Sequence, residues 1–369
     1  MLHKRQFGQL FRRWLWGLVL ILLVNCGHQS ISNDPRSVSL SPPEVTVASS
    51  PKSLGPEGLY APVRRDIRLA VISDLNSQYG STTYAPEVDK AIRLIPDWQP
   101  DLVLCGGDMI AGQKLSLSIA QIEAMWEAFD HHVAAPLRKA KIPFGFTIGN
   151  HDGSGAIAKD KLIFAQERDL AAAYWNDPAH DPGLNFLDRA QFPFYYSFLK
   201  DNIFYLVWDA STASLSQEQL TWVEQALSSP SAQQAKLRLA IGHLPLYPVA
   251  VKRDNPGNYL ANSEELQTLL EKYQVHTYIS GHHHAYYPGK RGRLELLHAG
   301  ALGDSPRRLL GSDLKPTKTL TIIDIELLTS STQYTTYDFK TMNVVHHETL
   351  PAKIVTAKGN IWRRDVSPQ

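Results

Sequence analysis

Residues 144–152 read Phe-Gly-Phe-Thr-Ile-Gly-Asn-His-Asp, an apolar run that changes abruptly into polar residues able to bind a metal. The apolar part predicts a buried β-strand, and the glycine that follows permits a sharp turn. Asn150, His151 and Asp152 would then stand at the carboxyl end of that strand, where open α/β sheets bind their ligands. A single Asn or Asp at such a point could equally be a helix N-cap. This stretch indicates a site only if other strands end in similar motifs.

The same change from apolar to polar occurs at the ends of four other predicted strands. The residues concerned are Asp74 with Asn76, Asp108, His243, and His282 with His284. Most of them lie beside a glycine, which allows the close backbone approach that a crowded site needs. Because loops at the carboxyl ends of neighbouring strands meet at one edge of a sheet, we expect these side chains to share one pocket.

The coarse pattern of the chain is that of a mixed α/β fold. Strands and helices alternate between residues 67 and 148, which favours βαβ units with parallel strands. Strands near 192–198 and 203–208 look antiparallel, and more strands follow to about residue 339. A long helix is predicted from about Ser118 to Ala135, with Pro136 stopping or kinking it. A mixed α/β sandwich is the most economical assembly, and the segment after about residue 341 gives no decisive pattern.

The candidate ligands supply oxygen and imidazole nitrogen but no thiolate. That donor set favours Mn, Fe or Zn over copper(I) or an iron–sulfur cluster. Carboxylates can bridge two ions, and two ions about 3.5–4 Å apart can activate a shared water and hold a phosphoryl group.

Taken in order, the motifs resemble those of the calcineurin-like metallophosphoesterases. The family order is D-x-H, G-D, G-N-H-D/E, G-H and G-H-x-H, and this chain carries Asp74-Leu75-Asn76, Gly107-Asp108, Gly149-Asn150-His151-Asp152, Gly242-His243 and Gly281-His282-His283-His284. His284-Ala285-Tyr286 further resembles the purple acid phosphatase branch. That branch would place a tyrosine where this chain has Ala111, so its iron–tyrosinate centre is not carried over.

The resemblance implies a sandwich of two mixed β-sheets flanked by helices, holding two metal ions, and a role for each residue of the motifs. Asp108 would bridge the ions. Asp74 and His284 would bind the first ion, with Asn76 beside them, and Asn150, His243 and His282 would bind the second. A bridging hydroxide would attack phosphorus while His151, oriented by Asp152, assists the leaving group. The substrate would be a small phosphoester.

Asn76 departs from the family pattern, which usually has a histidine at that position. An amide oxygen is a neutral and harder ligand than imidazole, so the first metal site could be weaker or partly filled. Two interpretations therefore stay open. One is a phosphatase or phosphodiesterase, and the alternative is a non-catalytic or weakly active lipoprotein that binds metal or phosphate on the same scaffold.

Two further features of the motif region have competing interpretations. His283 should point opposite to its neighbours in an extended segment, which makes contact with substrate the less favoured interpretation. Arg307 and Arg308 could bind a phosphate, but we favour a solvated pair in a loop.

Composition limits the partners. The 369 residues contain 37 Lys+Arg against 36 Asp+Glu, with no basic patch on the scale of a domain, so no nucleic-acid partner is expected beyond a possible nucleotide substrate. Only two cysteines are present, at positions 26 and 105, which argues against a disulfide framework.

The amino-terminal region predicts export. Residues 1–26 combine a basic start, an apolar stretch too short to span a membrane as a helix, and a lipobox-like ending at Cys26. They are either a cleaved lipoprotein leader or an uncleaved anchor, and either would place the protein on the periplasmic or extracellular face of a membrane. Residues 27–64, rich in Ser and Pro, predict a flexible linker, 65–340 the catalytic-type domain, and 341–369 a tail.

Overall fold

The computed structural model describes residues 54–367, apart from the side chain of Ala190. The predicted leader, with Cys26, and most of the predicted linker lie outside these residues, so export stays a prediction. Within the described part, no helix combines the length and apolar character that crossing a membrane requires.

The strands, numbered in chain order, are β1 (Ile67–Ile72), β2 (Leu102–Cys105), β3 (Phe144–Phe146), β4 (Ile157–Ala158), β5 (Lys161–Leu162), β6 (Phe186–Gln191), β7 (Tyr195–Lys200), β8 (Ile203–Val207), β9 (Leu237–Ile241), β10 (Thr277–Ser280), β11 (Tyr286–Arg291), β12 (Leu294–Ala299), β13 (Thr319–Glu326), β14 (Ser331–Asp338), β15 (Asn343–Val344), β16 (Lys353–Thr356) and β17 (Gly359–Arg363). The α-helices are α1 (Pro86–Trp98), α2 (Ile119–Phe129), α3 (Ala135–Lys139), α4 (Asn150–Gly153), α5 (Ala165–Asn176), α6 (Gln217–Ser228), α7 (Pro230–Gln234) and α8 (Ser263–Lys272).

Two mixed sheets carry the fold. One has the order β15-β14-β13-β1-β2-β3, and the other has the order β16-β17-β11-β12-β10-β9-β8-β7-β6. In the first sheet β1, β2 and β3 are parallel, and in the second β8, β9, β10 and β12 are parallel. Antiparallel strands complete both sheets, as with β13 beside β1 and β11 beside β12. The predicted class, a sandwich of two mixed sheets flanked by helices, is confirmed.

The parallel strands are continuous apolar runs because both of their faces are covered. All six residues of β1 and all five of β9 are buried. The two sheets meet where β3 faces β7: the Tyr196 hydroxyl lies 3.1 Å from the Phe146 amide nitrogen. A Cβ on Gly145 would come 3.1 Å from the ring of Phe198, so the absent side chain lets the sheets approach.

The end of the predicted linker is part of the domain. Arg68 on β1 is fully buried and paired with Asp324 on β13, with 2.8 Å between Nε and Oδ1. Its remaining donors need acceptors, and they donate to the carbonyl oxygens of Leu54 and Pro62, both at 2.8 Å. Residues 54–64 therefore pack on the domain, and the prediction of a flexible linker up to residue 64 is wrong for this part.

Two other expectations change. The α-helix that begins after Ser118 ends at Phe129, and a π-helical segment, Asp130–Ala134, carries the chain into α3, which contains Pro136. The proline therefore does not stop the helix, and the predicted interruption takes the form of the π-helical segment before it. The segment after residue 341 is not separate, because β15 extends the first sheet and β17 pairs with β11 in the second. The sequence pattern also missed α5, β6 and β11.

Candidate metal centre

The five predicted motifs converge at the carboxyl ends of parallel strands. Asp74 and Asn76 follow β1, Asp108 follows β2, Asn150 begins α4 shortly after β3, His243 follows β9, and His282 and His284 follow β10. The backbones interlock as well: the Asp74 amide donates to Gly107 O at 2.9 Å, and the Gly281 amide donates to His243 O at 3.0 Å. Residues from both sheets thus line one pocket.

Four of the predicted ligands form a tight cluster of donor atoms. Asn150 Oδ1 lies 2.9 Å from both His243 Nε2 and His282 Nδ1. The two imidazole nitrogens are 3.3 Å apart, and His243 Nε2 is 3.3 Å from Asp108 Oδ2. Donors about 2.0–2.2 Å from a shared ion stand at such separations from one another, so these four atoms fit a metal.

A second cluster adjoins the first through Asp108. Asp74 Oδ1 lies 3.3 Å from His284 Nε2. Ligand atoms of Asp74, Asp108 and His243 all lie within 4.8 Å of one another. Asp108 therefore stands between the two clusters, at the position that a bridging carboxylate needs.

The ring orientation of each histidine is set by the hydrogen bond on its other nitrogen. His243 Nδ1 lies 2.8 Å from Gly106 O, His284 Nδ1 lies 3.0 Å from Ser305 O, and His151 Nδ1 lies 2.9 Å from Gly112 O. A carbonyl can only accept, so each of these Nδ1 atoms carries a proton, and Nε2 of His243 and of His284 is the nitrogen that would bind a metal. Backbone carbonyls play this part in many metal sites.

The pocket contains two buried carboxylates whose negative charge a cation would neutralise. Asp74 and Asp108 are buried, and among residues 54–367 only imidazoles form ion pairs with them. Burial lowers the pKa of His243, but the charges of Asp108 and Asp74 outweigh it and raise that pKa to about 9. The same two carboxylate charges would attract a metal ion bound at this point. Burial, with the charges of His243 and Arg253, holds the pKa of His282 well below its usual value, so its ring is neutral, as a ligand must be.

The backbone at the site is held in a conformation that is unfavourable for most residues. Asp74, Asp108, His282 and His284 all have positive φ, at 51°, 55°, 62° and 51°. Strain of this kind gathers at functional sites, where the surroundings hold it in place. Glycine makes the crowding possible, because a Cβ on Gly149 would sit 2.2 Å from Asp108 Oδ1 and one on Gly281 would sit 2.7 Å from Asp74 Oδ2.

His151 lies beside the clusters with its side chain 19% exposed and Nε2 4.0 Å from Asp108 Oδ2. The ring of Tyr79 covers it, with 5.1 Å between the ring centres. The predicted orientation of His151 by Asp152 is wrong, because the ring's partner is Gly112 O. Asp152 instead accepts from four backbone amides, those of Asp108, Gly149, Met109 and Ile110, at 2.7–2.9 Å. Its carboxylate shapes the loop that carries Asp108.

Asn76 has its backbone at the site, donating to Asp108 O at 3.2 Å and accepting from the Asp304 amide at 3.2 Å. Its side chain is 7% exposed, and no hydrogen bond to another described residue holds its amide.

His283 is fully buried and points away from the clusters: its Nδ1 accepts from the Val249 amide at 3.2 Å and its Nε2 donates to Asn258 O at 2.8 Å. It ties the 249–258 loop to β10.

Sequence reasoning missed the residues that hold the ligands. Gln113 Oε1 accepts from Asn150 Nδ2 at 2.6 Å, which turns Asn150 Oδ1 towards the two imidazoles. Glu167 on α5 holds that loop by accepting from the Gln113 amide at 2.8 Å. Neither residue lies in a motif, and no signal in the pattern singles them out.

An α/β sandwich with carboxylate, amide and imidazole donors gathered at its strand ends is the arrangement of a metal-binding protein. The profile of the calcineurin-like phosphoesterases matches residues 67–286, more than half of the chain. The chain belongs to that family, as its motifs predicted. At the level of the family, the activity is metal-dependent hydrolysis of phosphoesters.

Solved structures resemble the chain at low sequence identity. A purple acid phosphatase from yellow lupin seeds is 17% identical, with a TM-score of 0.52 over 76% of this chain and 52% of that one. GAP50, described as the anchor in the inner membrane complex of Plasmodium, is 11% identical, with a TM-score of 0.47 over 76% and 87%. A putative 5'-nucleotidase from Staphylococcus aureus is 13% identical, with a TM-score of 0.39 over 75% and 52%. The chain thus spans about half the length of the lupin protein, 52%, and this similarity concerns the fold alone. No curated protein sequence matches the chain.

Proposed function

We propose that the protein is a dinuclear metal-dependent phosphoester hydrolase. The observation that carries the proposal is the position of Asp108, which joins two clusters of donor atoms brought together from five strand ends. A site built only to bind a single ion would not need the second cluster.

In this proposal Asp74 and His284, with the amide of Asn76, hold the first ion, and Asn150, His243 and His282 hold the second. Asp108 is shared. The ions, of Mn, Fe or Zn, would supply Lewis acidity to the phosphoryl group and activate a water molecule as nucleophile. Asp152 and Gln113 keep Asp108 and Asn150 in position.

His151 assists the leaving group. Gly112 O accepts from Nδ1, so Nε2 is the nitrogen that faces the reacting centre. A ring protonated on both nitrogens would give the Nε2 proton, or a hydrogen bond from it, to the departing oxygen. Asp108 Oδ1 accepts from the His151 backbone amide at 2.9 Å, which fixes the ring relative to the metal ligands.

The proposal is tested by hydrolysis of an aryl phosphate ester after the protein has been stripped with a chelator and reloaded with Mn²⁺, Fe²⁺ or Zn²⁺ in turn. We expect no turnover from the stripped protein and turnover from at least one reloaded form. Sustained hydrolysis in the stripped protein would contradict the mechanism.

The neutral amide of Asn76 favours a second candidate, a protein that binds metal or phosphate with little turnover. Asn76→His supplies the imidazole that the family pattern contains, and a buried imidazole is a stronger ligand for these metals than an amide. We expect affinity at the weaker metal site to rise by about tenfold to a hundredfold, with no loss of activity. Calorimetric metal titration measures the affinity, and Asn343→His, at an exposed position, is the control.

The same titration separates the two candidates. If the wild type binds one ion and only the Asn76→His variant turns over, the protein belongs to the weakly active class. A wild-type protein that binds two ions and turns over belongs to the catalytic class.

We also propose that the protein works outside the cytoplasm, tethered to a membrane by residues 1–26. The support is the basic and apolar pattern that ends at Cys26. If a lipid is attached to this cysteine, metabolic labelling with a fatty acid should label the wild-type protein and should not label Cys26→Ser.

A further inference from the structure

Two arginines beside the metal-ligand histidines lack an acidic partner. Arg253 lies in the loop between β9 and α8, and Arg307 lies in the loop after β12. Among residues 54–367, neither guanidinium forms a salt bridge with a carboxylate, and the Nε atom of each is buried without a hydrogen-bond partner. Leaving such donors unpaired is costly, so a cationic pair of this kind is built to receive an acceptor.

Arg253 is in contact with the ligand cluster. Its Nη1 lies 3.3 Å from His282 Nε2 and donates to Asn258 Oδ1 at 2.6 Å. Both of these contacts use Nη1, so the buried Nε of Arg253 is left without an acceptor. An oxygen that only accepts would satisfy that donor.

Arg307 belongs to the same group of charges. Its backbone amide donates to His284 O at 2.8 Å, so the backbone of Arg307 lies next to a ligand of the other cluster. After burial, the charge of Arg307 is the largest influence lowering the pKa of Arg253, while Asp74 and Asp108 act in the opposite direction. Arg308, by contrast, is exposed and lies 3.7 Å from Asp313, so the predicted solvated pair divides into one residue at the site and one in solvent.

We propose that Arg253 and Arg307 bind the non-bridging oxygens of a terminal phosphoryl group, which makes phosphomonoesters, rather than phosphodiesters, the preferred substrate class. This inference rests on the proposed phosphoesterase function and makes its substrate specific. A guanidinium binds phosphate oxygens through a planar fork of donors. A monoester offers two negative charges and three non-bridging oxygens, whereas a diester offers one charge and two such oxygens. Two arginines added to two metal ions therefore match the monoester.

The test uses the full, metal-loaded protein with Arg253→Gln and Arg307→Gln, and Arg308→Gln as the matched control. The second-order rate constant kcat/KM is measured for para-nitrophenyl phosphate and for bis(para-nitrophenyl) phosphate. We expect the wild type to prefer the monoester. Each of the two variants should lose about tenfold to a hundredfold on the monoester and much less on the diester, and the control should match the wild type.

Calorimetric binding of inorganic phosphate gives a readout that does not need turnover. Its dissociation constant should rise by a similar factor in both variants. Asn258→Ala removes the loop contact of Arg253 without removing the charge, so it should leave the monoester preference intact. If it reproduces the effect of Arg253→Gln, the arginine only braces the loop and the proposal fails.

Other outcomes are equally decisive. Equal losses on both esters, or a wild type that prefers the diester, would overturn the monoester proposal while leaving the hydrolase proposal standing. Absence of hydrolysis of either ester, with phosphate binding that still depends on both arginines, would overturn the hydrolase and keep the anion site. If a Gln variant fails to fold, Arg253→Lys or Arg307→Lys replaces it, because lysine keeps the charge and lacks the planar guanidinium. The Lys variant is judged by the same quantity, the ratio of kcat/KM for the monoester to kcat/KM for the diester.

Discussion

Asp108→Asn is expected to abolish activity, with a loss of at least about a thousandfold in kcat, or about 4 kcal/mol of transition-state stabilisation. Asp108 is 1% exposed and is the one carboxylate placed between the two clusters of donor atoms. Asparagine keeps the shape but removes one of the two buried negative charges, those of Asp74 and Asp108, that attract the ions. We therefore expect metal affinity to fall by more than about a hundredfold.

The loss of metal can be separated from loss of the fold. A ligand that binds the folded state raises the thermal unfolding midpoint, so added Mn²⁺ or Zn²⁺ should raise that midpoint for the wild type and leave it unchanged for Asp108→Asn. The chelated variant should unfold at a somewhat lower temperature than the chelated wild type, because it loses the pairing of Asp108 Oδ2 with His243 Nε2, 3.3 Å apart. The effect of added metal is therefore measured for each protein against its own chelated form. Asp97→Asn, at an exposed position of α1, should behave as the wild type in both measurements. An Asp108→Asn protein that retains both ions and full turnover would show that the carboxylate is not shared.

His151→Ala is expected to keep both metal ions and lose about a hundredfold to ten-thousandfold in kcat. The ring lies beside the clusters rather than within them, with Nε2 4.0 Å from Asp108 Oδ2, so the ligands are untouched. The loss should depend on the leaving group. It should lie at the lower end of that range for para-nitrophenyl phosphate, whose leaving group departs without a proton. It should be at least about tenfold larger for an alkyl phosphate, whose alkoxide needs one.

His151→Gln refines the assignment. An amide can donate a hydrogen bond but cannot transfer a proton, so this variant should recover rate for the aryl ester and stay slow for the alkyl ester. His346→Ala removes an exposed imidazole far along the chain and should change neither rate. A uniform loss across leaving groups, together with loss of metal, would instead place His151 among the ligands.

The sequence alone could predict the parts of this molecule that depend on short-range patterns. The apolar part of residues 144–152 was predicted to be a buried strand and contains β3, because it is a short apolar run that ends at a polar motif. The residues that converge on the pocket were also predicted, since the motifs stand at strand ends and parallel strands bring such ends together.

Long-range contacts could not be predicted in the same way. Gln113 acts through its contact with Asn150, Asp152 acts on the backbone of a loop 44 positions earlier, and residues 54–64 pack because a buried Arg68 needs their carbonyls. Each depends on which segments become neighbours in space. β17 joins the second sheet only because β11 offers it an edge, and no local pattern encodes that pairing.

The arginine pair makes the same point. Arg307 and Arg308 look alike in the sequence, and only the buried Nε of Arg307 and its place beside His284 distinguish them. The candidate metal ligands were thus visible in the pattern, whereas the pattern could not tell which of these two arginines lies beside them.

The central claim is that donor atoms from five strand ends form one centre for two metal ions. The most direct measurement is a titration of chelator-stripped protein with Mn²⁺ or Zn²⁺, with the bound metal counted per chain by elemental analysis. The account predicts saturation at two ions per chain for the wild type and the loss of tight binding in Asp108→Asn. One ion per chain would support the weakly active alternative, and no saturable binding, or equal binding by the two proteins, would contradict the account.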